Sequence, residues 1–484
     1  MSSESRPPEP HPRRWQILSA IAIGTLMGPV DGSVVNIALP VITKTFGTTL
    51  AVAEWIPMAY LLVISSVLLT WGRLGDLYGH RRVYLGGFAV FTLGSLLCGA
   101  SPSIGWLVAA RVVQALGAGM MLASGPAIIT EVFAPTERGR ALGLNAVAVA
   151  VGLSIGPALG GFLVEHLGWR SIFYINLPIG LVGIAWAYRV LPPPTAVRPA
   201  AFDVPGALTL FGALFSLLLA LSRGESWGWM APATIALTAL GLVGLLVFVA
   251  VERRAAAPMV DLSLFNSRVF VLANASALTN FMAQFSVTFL MPFFLQFALG
   301  MPPDRAGLVM LGIPAAMVVV APLAGYLSDR FGSRWLAVTG MAILAAGIVS
   351  VSRLDAGASS PGIFWRLAVL GLGAGLFQTP NNSTIMGSVP RDRLGIAGGM
   401  AASMRNIGMV LGIGVSGAVF MAKAGGRPEL AAANMDLFLS GMRAAMSTGA
   451  AFALVGAVMA WATRSGSSGP RRRAWRERTT PVEP

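Results

Sequence analysis

Cysteine, histidine and charged residues are scarce in this chain of 484 residues. It has one cysteine, Cys98, and three histidines, which excludes a disulfide framework and a metal site built from several cysteines. Charged residues make up 11% of the chain, whereas soluble domains carry about 25%. The chain is therefore not a soluble protein of this length, and little room is left for soluble catalysis.

Apolar residues are abundant instead, at 55% of the chain. They fall in runs of roughly 20 residues, a length at which a helix crosses about 30 Å of hydrocarbon. The first run, from about Trp15 to Leu39, is too long for the apolar part of a cleavable signal and has no small-residue cleavage site after it. The pattern predicts an all-α polytopic membrane protein that keeps its first span.

Fourteen spans are predicted from apolar runs bounded by Arg, Gly and Pro clusters. The predicted inner segments hold 23 Lys and Arg residues and the outer segments hold 9. Because positive residues are retained on the cytoplasmic side, both termini are expected inside. The spans lie at about 15–39, 51–72, 83–100, 104–130, 140–164, 170–190, 203–222, 232–251, 268–298, 304–326, 335–352, 362–388, 396–421 and 441–463.

The sequence also contains an internal repeat. Segment 72–82 follows span 2 and is matched by segment 325–334 after span 10, at an offset of 253 residues, and Arg111 is matched by Arg366 at nearly that offset. Two halves of six spans with a substrate site between them are the architecture of alternating-access carriers. The predicted units are a cytoplasmic N-terminal tail 1–14, an N-terminal six-helix bundle 15–191, two inserted helices 199–258, a C-terminal six-helix bundle 265–464 and a basic cytoplasmic tail 465–484.

Five stretches in a fixed order carry a family resemblance. They are DGSVVNIALP at 31–40, GRLGDLYGHRR at 72–82, RVVQALGAG at 111–119, a glycine pattern at 143–161 and WRSIFYINLPIG at 169–180. With them the chain resembles the major facilitator superfamily, and within it the fourteen-span drug:proton antiporter branch, over almost its whole length. The resemblance implies a fold of two six-helix bundles plus two inserted helices, and a secondary transporter rather than an enzyme.

Two ionisable residues lie well inside predicted spans, Asp31 and Arg111. A charge there costs roughly 3 kcal/mol on insertion scales, which makes both functional candidates. Helix rise places them at similar depths. A carboxyl group in hydrocarbon favours its neutral form and a neighbouring guanidinium favours the charged form, so the pair can gain or lose a proton as its surroundings change.

The resemblance implies the same roles for Asp31 and Arg111, and a fixed structural salt bridge is the alternative. Glu54 is a further proton-site candidate. Because it lies near the outer end of span 2, a hydrated interfacial acid is the other interpretation.

Two sets of residues are predicted to act in conformational change. The first is a pair of cytoplasmic latches, in which contacts of Asp76 with Arg81 and Arg82 hold one face shut and break during the cycle. The latch residues are Gly72, Asp76, Gly79, Arg81, Arg82, Asp329, Arg330 and Arg334.

The second set is the glycine pattern, in which small residues let helices approach closely and a proline bends the helix. Its form is typical of antiporters in the family that the chain resembles, which implies a role in coupling exchange and favours efflux over uptake. Ordinary tight packing is the alternative. The residues are Gly143, Gly152, Gly156, Pro157, Gly160 and Gly161.

Amide and aromatic side chains at helical spacing predict a substrate pocket. Such a pocket suits amphipathic and often cationic compounds, although a single Phe more often faces lipid or a neighbouring helix, and Arg405 is also placed to snorkel. The predicted lining residues are Tyr60, Asn280, Phe281, Gln284, Phe285, Thr288, Phe377, Gln378, Asn381 and Arg405.

The predicted function is proton-coupled antiport that exports hydrophobic or cationic small molecules across a bacterial inner membrane. A dedicated exporter of one endogenous metabolite, such as a natural product or a siderophore, is the alternative, and a transport-dead membrane sensor is a remote one. No cofactor beyond the coupling proton, no metal and no nucleic-acid partner are expected. The carrier is expected to be a monomer that contacts membrane lipid and an amphipathic substrate.

Overall fold

The computed structural model describes residues 11–134, 137–193, 204–228, 230–254, 262–390, 394–424 and 434–463, and all regular secondary structure in these ranges is helical. Most of both predicted tails and of the linker near 194–203 lies outside them. The helices are α1 Arg14–Phe46, α2 Leu50–Ala53, α3 Trp55–Tyr78, α4 His80–Gly99, α5 Ile104–Val132, α6 Arg138–Leu167, α7 Ser171–Tyr174, α8 Asn176–Val190, α9 Val204–Trp227, α10 Pro232–Glu252, α11 Arg268–Phe293, α12 Pro303–Met310, α13 Gly312–Phe331, α14 Ser333–Ser352, α15 Ser360–Gly387, α16 Leu394–Ala424 and α17 Met435–Ala462.

Thirteen helical segments in the described ranges are long and apolar enough to cross a membrane. The remaining predicted span, at about 203–222, coincides with α9, whose apolar part is Pro205–Leu217. The all-α polytopic fold predicted from the apolar runs is thus confirmed.

Three spans contain a short break near one end. The breaks fall between α2 and α3, between α7 and α8 and between α12 and α13, each three residues before a proline at 57, 178 or 314. Proline has no N–H group and cannot bond to the carbonyl four residues back. Because the residue at each break keeps right-handed helical dihedral angles, the two pieces continue in one direction.

The helices group into two bundles by their contacts. In the first, α1 packs on α6, α5 on α3 and α4, and α8 on α1 and α4; in the second, α15 packs on α13 and α14, and α17 on α11, α14 and α16. The inserted α9 and α10 pack mainly on each other, and α9 also contacts α3 and α16, one helix from each bundle.

The two bundles meet near one end of the molecule. We call the end where α1 begins and α17 ends the terminal end, and the opposite one, where α1 ends at Phe46, the far end. In the far half, Gln296 Nε2 donates to the Ile37 carbonyl at 2.8 Å and α12 packs on α6. Toward the terminal end of α3 and α6, a Cβ atom added to Gly72 or Gly143 would meet nothing within 4 Å. The bundle-to-bundle contacts named here therefore lie in the far half, whereas Gly72 and Gly143 face open space.

Close backbone approach between α4 and α5 positions the most polar part of the first bundle. A Cβ atom at Gly87 would lie 2.9 Å from the Gly117 carbonyl oxygen, and one at Gly117 would lie 2.7 Å from the Gly87 oxygen. A larger residue would force the helices apart, and with them the side chains that α5 presents to α4.

We expect Gly117→Ala to lower the free energy of unfolding by about 1–3 kcal/mol, because the added methyl group overpacks a backbone contact. Gly105→Ala is the matched control on the same helix, since a Cβ atom there would meet nothing within 4 Å. It should stabilise the protein by up to about 1 kcal/mol through backbone entropy. Denaturant unfolding of purified protein in detergent measures both, and equal shifts would show that this contact is not tight.

Candidate functional site

Asp31 and Arg111 form an ion pair inside the first bundle. Arg111 Nη1, on α5, donates to Asp31 Oδ2, on α1, and both side chains are 0% exposed. The structure thus brings together the two residues that the sequence singled out as intramembrane charges. It places them within one bundle, not across the space between the two.

Two amides complete the surroundings of the carboxylate. Gln114 Nε2 and Asn176 Nδ2 donate to Asp31 Oδ1 at 2.8 and 3.0 Å, and Gln114 Oε1 accepts from Arg111 Nη1 at 2.7 Å. Gln114 also donates to Ser95 Oγ at 2.7 Å. Neither amide was predicted as a site residue. The spacing of Gln114, one helical turn after Arg111, could have indicated it, whereas Asn176 comes from α8 and has no comparable signal.

Arg111 is held on its other side by α3. Its Nε donates to the Ile56 carbonyl at 3.2 Å, and its Cζ lies 4.0 Å from the centroid of the Tyr60 ring. The place of Tyr60 in the substrate pocket stays a prediction. Its side chain is 3% exposed and stacks on the guanidinium. Tyr60 and Ile56 are four residues apart, so one face of α3 contacts the arginine through both.

Glu54 lies at the boundary between the bundles. It is 5% exposed, which contradicts the hydrated interfacial acid considered from the sequence. A Cβ atom at Gly417 of α16 would collide with Glu54 Oε2, so the carboxylate of this residue, at the break between α2 and α3, packs on the backbone of the other bundle. Opening the far end would uncover it.

The first latch does not bridge Asp76 to Arg81 or Arg82 in the part of the chain that the structure describes. Asp76 Oδ1 lies 3.2 Å from His80 Nε2, and Asp76 Oδ2 lies 3.7 Å from Arg73 Nη1. Arg81 Nη2 instead donates to the Tyr188 carbonyl at 2.8 Å.

The second latch is described only in part, because the side chain of Asp329 lies outside the described residues. Arg330 is exposed. Arg334 Cζ lies 5.6 Å from the Trp335 ring centroid and 5.2 Å from that of Trp461. Arg334 therefore contacts two rings of its own bundle.

The glycine pattern of α6 serves two neighbours. Gly152, Gly156 and Gly160 face α1, where a Cβ atom would lie 2.9 Å from the Leu26 oxygen at Gly152 and 2.9 Å from Val34 Cα at Gly160. Ser33 Oγ donates to the Gly152 carbonyl at 3.3 Å. The pattern thus packs α6 on the helix that carries Asp31.

The same helix also packs on the second bundle. A Cβ atom at Gly161 would collide with the Pro303 carbonyl oxygen, and one at Gly307 of α12 would collide with the Pro157 carbonyl oxygen. These backbone contacts close the far end. Gly143, in contrast, faces open space.

Several predicted pocket residues are buried between packed helices of the second bundle. Asn280 and Phe377 are fully buried, and Asn280 Nδ2 donates to Met341 Sδ at 3.3 Å. Asn381 is buried and donates to the Ala273 carbonyl at 3.1 Å. In this conformation neighbouring helices occupy the space around these side chains, and their place in a substrate pocket stays a prediction.

The other predicted pocket residues differ in exposure. Gln284 Nε2 lies 3.7 Å from Met317 Sδ, and Thr288 Oγ1 donates to the Gln284 carbonyl at 3.1 Å. Phe281 and Phe285 pack on the glycine face of α16 at Gly408 and Gly412. Half-buried side chains remain candidates to line a pocket: Phe281, Phe285, Thr288, Gln378 and Arg405.

The second bundle has no acid at the position equivalent to Asp31. The offset of 253 residues that relates segment 72–82 to segment 325–334 relates Asp31 to Gln284. The amide side chain of Gln284 does not gain or lose a proton near neutral pH. The charge chemistry of the described bundles is therefore asymmetric.

A two-bundle helical fold with an ion pair buried at membrane depth defines a multi-pass membrane transporter. The family model described as Major Facilitator Superfamily matches residues 21–413 and 273–484. The chain belongs to the major facilitator superfamily, as its motifs predicted.

Its relatives are transporters. The chain is 34% identical over 405 residues to the riboflavin transporter RibZ of Clostridioides difficile, with 83% of this chain and 87% of the relative covered. It is 36% identical over 412 residues to the multidrug resistance protein Stp of Mycobacterium tuberculosis, covering 84% and 76%. The tetracenomycin C resistance and export protein of Streptomyces glaucescens is 34% identical over 419 residues, covering 85% and 77%.

A solved structure shares the fold. The inward-facing, unoccupied form of a bacterial homolog to the human lysosomal transporter Spinster superposes with a TM-score of 0.66 at 17% identity, covering 93% of this chain and 97% of that one. At this identity the likeness concerns the fold alone.

We expect Gly161→Ala to disfavour closure of the far end, because the new methyl group meets the Pro303 carbonyl. Overpacking of about 1–3 kcal/mol corresponds to roughly a 5- to 150-fold change in the closed-to-open ratio. The readout is alkylation of a cysteine at Val41, which lines a groove at the far end, in a Cys98→Ser background with an impermeant maleimide.

Alkylation should be several-fold faster in Gly161→Ala and unchanged in Gly143→Ala, where the added atom meets nothing within 4 Å. Equal rates in both variants would refute a specific role of Gly161 in closure.

Proposed function

We propose that this transporter is a proton-coupled antiporter that exports hydrophobic or cationic small molecules by alternating access, with both termini in the cytoplasm of a bacterium. The observation that carries the proposal is the fully buried pair of Asp31 and Arg111. A buried ion pair adds little stability over well-packed apolar residues. Its presence at membrane depth is better explained by work that needs a titratable group.

The surroundings of Asp31 link its protonation to conformation. The Arg111 guanidinium and two amides donate to the carboxylate, and one of these amides, Gln114, also donates to Ser95. Neutralising Asp31 without any other change would leave Arg111 buried and unpaired, which costs on the order of 3–5 kcal/mol. A proton can therefore bind stably only when helix movement gives Arg111 a new acceptor in place of the carboxylate. Proton uptake and helix movement become one step.

Helix α1 carries this change to the far end. It holds Asp31, and six residues further on the Ile37 carbonyl accepts from Gln296 of the second bundle. It also packs on the glycine face of α6, which in turn packs on α12. A shift of α1 on protonation would strain both contacts between the bundles. Glu54 is buried at the same boundary between the bundles. Whether its carboxyl group is charged or neutral would affect how readily the far end opens.

The terminal end faces the cytoplasm in the proposed topology. Substrate would enter there, between the bundles, and leave after the far end opens. One proton moving inward gains about 2.3 kcal/mol per 100 mV and about 1.4 kcal/mol per pH unit. That is enough for roughly a hundredfold gradient of a neutral substrate exchanged one for one.

The substrate range is proposed from chemistry and from relatives. Half-buried Phe281, Phe285 and Gln378 offer aromatic and amide groups, which suit amphipathic compounds. The relatives named for multidrug resistance and for tetracenomycin C export support efflux. The relative named as a riboflavin transporter keeps a dedicated carrier of one metabolite as the second candidate.

We expect Asp31→Asn and Arg111→Ala to abolish substrate-driven collapse of an imposed pH gradient in everted vesicles. The first variant lacks the carboxyl group that binds the proton. The second lacks the positive charge that returns this group to its carboxylate form. Ethidium and riboflavin serve as probes of the two candidate substrate classes. Arg366→Ala is the matched control, since Arg366 is the repeat counterpart of Arg111 and donates to the Ser350 carbonyl at 3.0 Å. Exchange at the wild-type rate in both site variants would refute the proposed proton site.

A drug panel separates the two candidate substrate ranges. Expression in a pump-deficient strain should raise resistance to several unrelated cationic or hydrophobic compounds, and Asp31→Asn should remove all of that resistance together. Resistance to a single compound class would instead support the dedicated carrier.

A further inference from the structure

Two buried polar atoms beside the ion pair make no hydrogen bond within the described ranges. They are Arg111 Nη2 and the hydroxyl oxygen of Tyr60. Buried polar groups are nearly always bonded, so an orphan donor next to an orphan hydroxyl calls for an explanation. A bound water is the usual partner of such groups.

The other deeply buried tyrosine of this bundle shows that the orphan hydroxyl is not a general feature. Tyr84 OH lies 3.2 and 3.0 Å from the carbonyl oxygens of Ala20 and Ile21 and is satisfied by them. Tyr60 instead stacks its ring on the Arg111 guanidinium at 4.0 Å. Stacking holds the ring in place and leaves the hydroxyl available.

The Tyr60 hydroxyl lies beside Gly28 of α1. A Cβ atom at Gly28 would stand 3.5 Å from it, in van der Waals contact, so the missing side chain of glycine leaves the hydroxyl uncovered on this side. Gly28 is half-buried and stands three residues before Asp31, which puts both on one face of α1. It lies on the terminal-end side of Asp31.

A water beside these groups has three possible partners. Arg111 Nη2 can donate to it, and Tyr60 can donate or accept. Asp31 Oδ2 accepts only from Arg111 Nη1 among the described residues and keeps a second lone pair. Three polar partners are typical of a structural buried water.

We propose that Tyr60 and Arg111 Nη2 hold a water molecule that passes the proton between Asp31 and the terminal end along Gly28. In the release step, the O–H bond of the protonated Asp31 carboxyl breaks and a new O–H bond forms to the water, which gives a carboxylate and a hydronium ion. The hydronium then transfers one proton to the next water beside Gly28. Tyr60 keeps its own proton and acts as a positioning residue. The inference rests on the proposed function, because it needs Asp31 to titrate.

The test follows proton exchange at Asp31 directly, without any substrate. The full-length purified protein in liposomes is subjected to a pH jump, and time-resolved infrared spectroscopy follows the protonated carboxyl band that is missing in Asp31→Asn. Tyr60→Phe keeps the ring and its stack on Arg111 but removes the hydroxyl, and we expect it to slow the exchange at least tenfold. Gly28→Ala should also slow it, since the methyl group enters the space of the water.

Tyr84→Phe is the matched control, which removes a buried hydroxyl of the same bundle away from Asp31 and should exchange at the wild-type rate. Wild-type exchange in Tyr60→Phe, or equal slowing in Tyr84→Phe, would overturn the inference and leave the proposed function intact. An infrared spectrum of the wild type with no band that depends on Asp31 would overturn both.

Discussion

The charge of Arg111 inside the membrane is the constraint on which the first bundle is built. A guanidinium cannot be deprotonated in proteins, so it needs acceptors wherever it lies. Asp31, the Gln114 amide and the Ile56 carbonyl supply them from three helices. The arginine thereby ties α1, α3 and α5 together at one point, and any change in the charge of Asp31 is felt by all three. The equivalent position in the second bundle is occupied by the neutral Gln284, so only one bundle carries this dependence.

Close packing of backbones makes that dependence effective. Glycines on α4, α5 and α6 let helices approach to within contact of main-chain atoms. Such contacts have no flexible side chain that could absorb a displacement, and packed interiors are rigid. A movement at α1 is therefore passed to α6 and from α6 to α12. The sequence left open whether the glycine pattern serves tight packing or the coupling of exchange. In the structure the glycines pack helices tightly, and this packing allows coupling.

The depth of a residue in the membrane could be predicted from the sequence, but the direction in which its side chain points around the helix axis could not. A rise of about 1.5 Å per residue places Asp31 and Arg111 at similar depths whatever their neighbours are, which is why their proximity was foreseen. Whether Tyr60 faces an arginine or a pocket depends on how α3 is rotated, and that is set by packing with other helices. The same reason explains Asn280 and Phe377, whose depth suits a pocket but whose side chains are buried in the second bundle. Asn176 was missed because its contact with Asp31 spans 145 residues of sequence.

The inserted helix α9 touches α3 on one bundle and α16 on the other, and α10 backs it from outside. Two bodies joined only at their interface could pivot about many axes. A third element that contacts both bundles leaves fewer axes, because each rotation must preserve the contacts of α9 with α3 and α16 or slide along them. Any swing between the two bundles would therefore be restricted by these contacts.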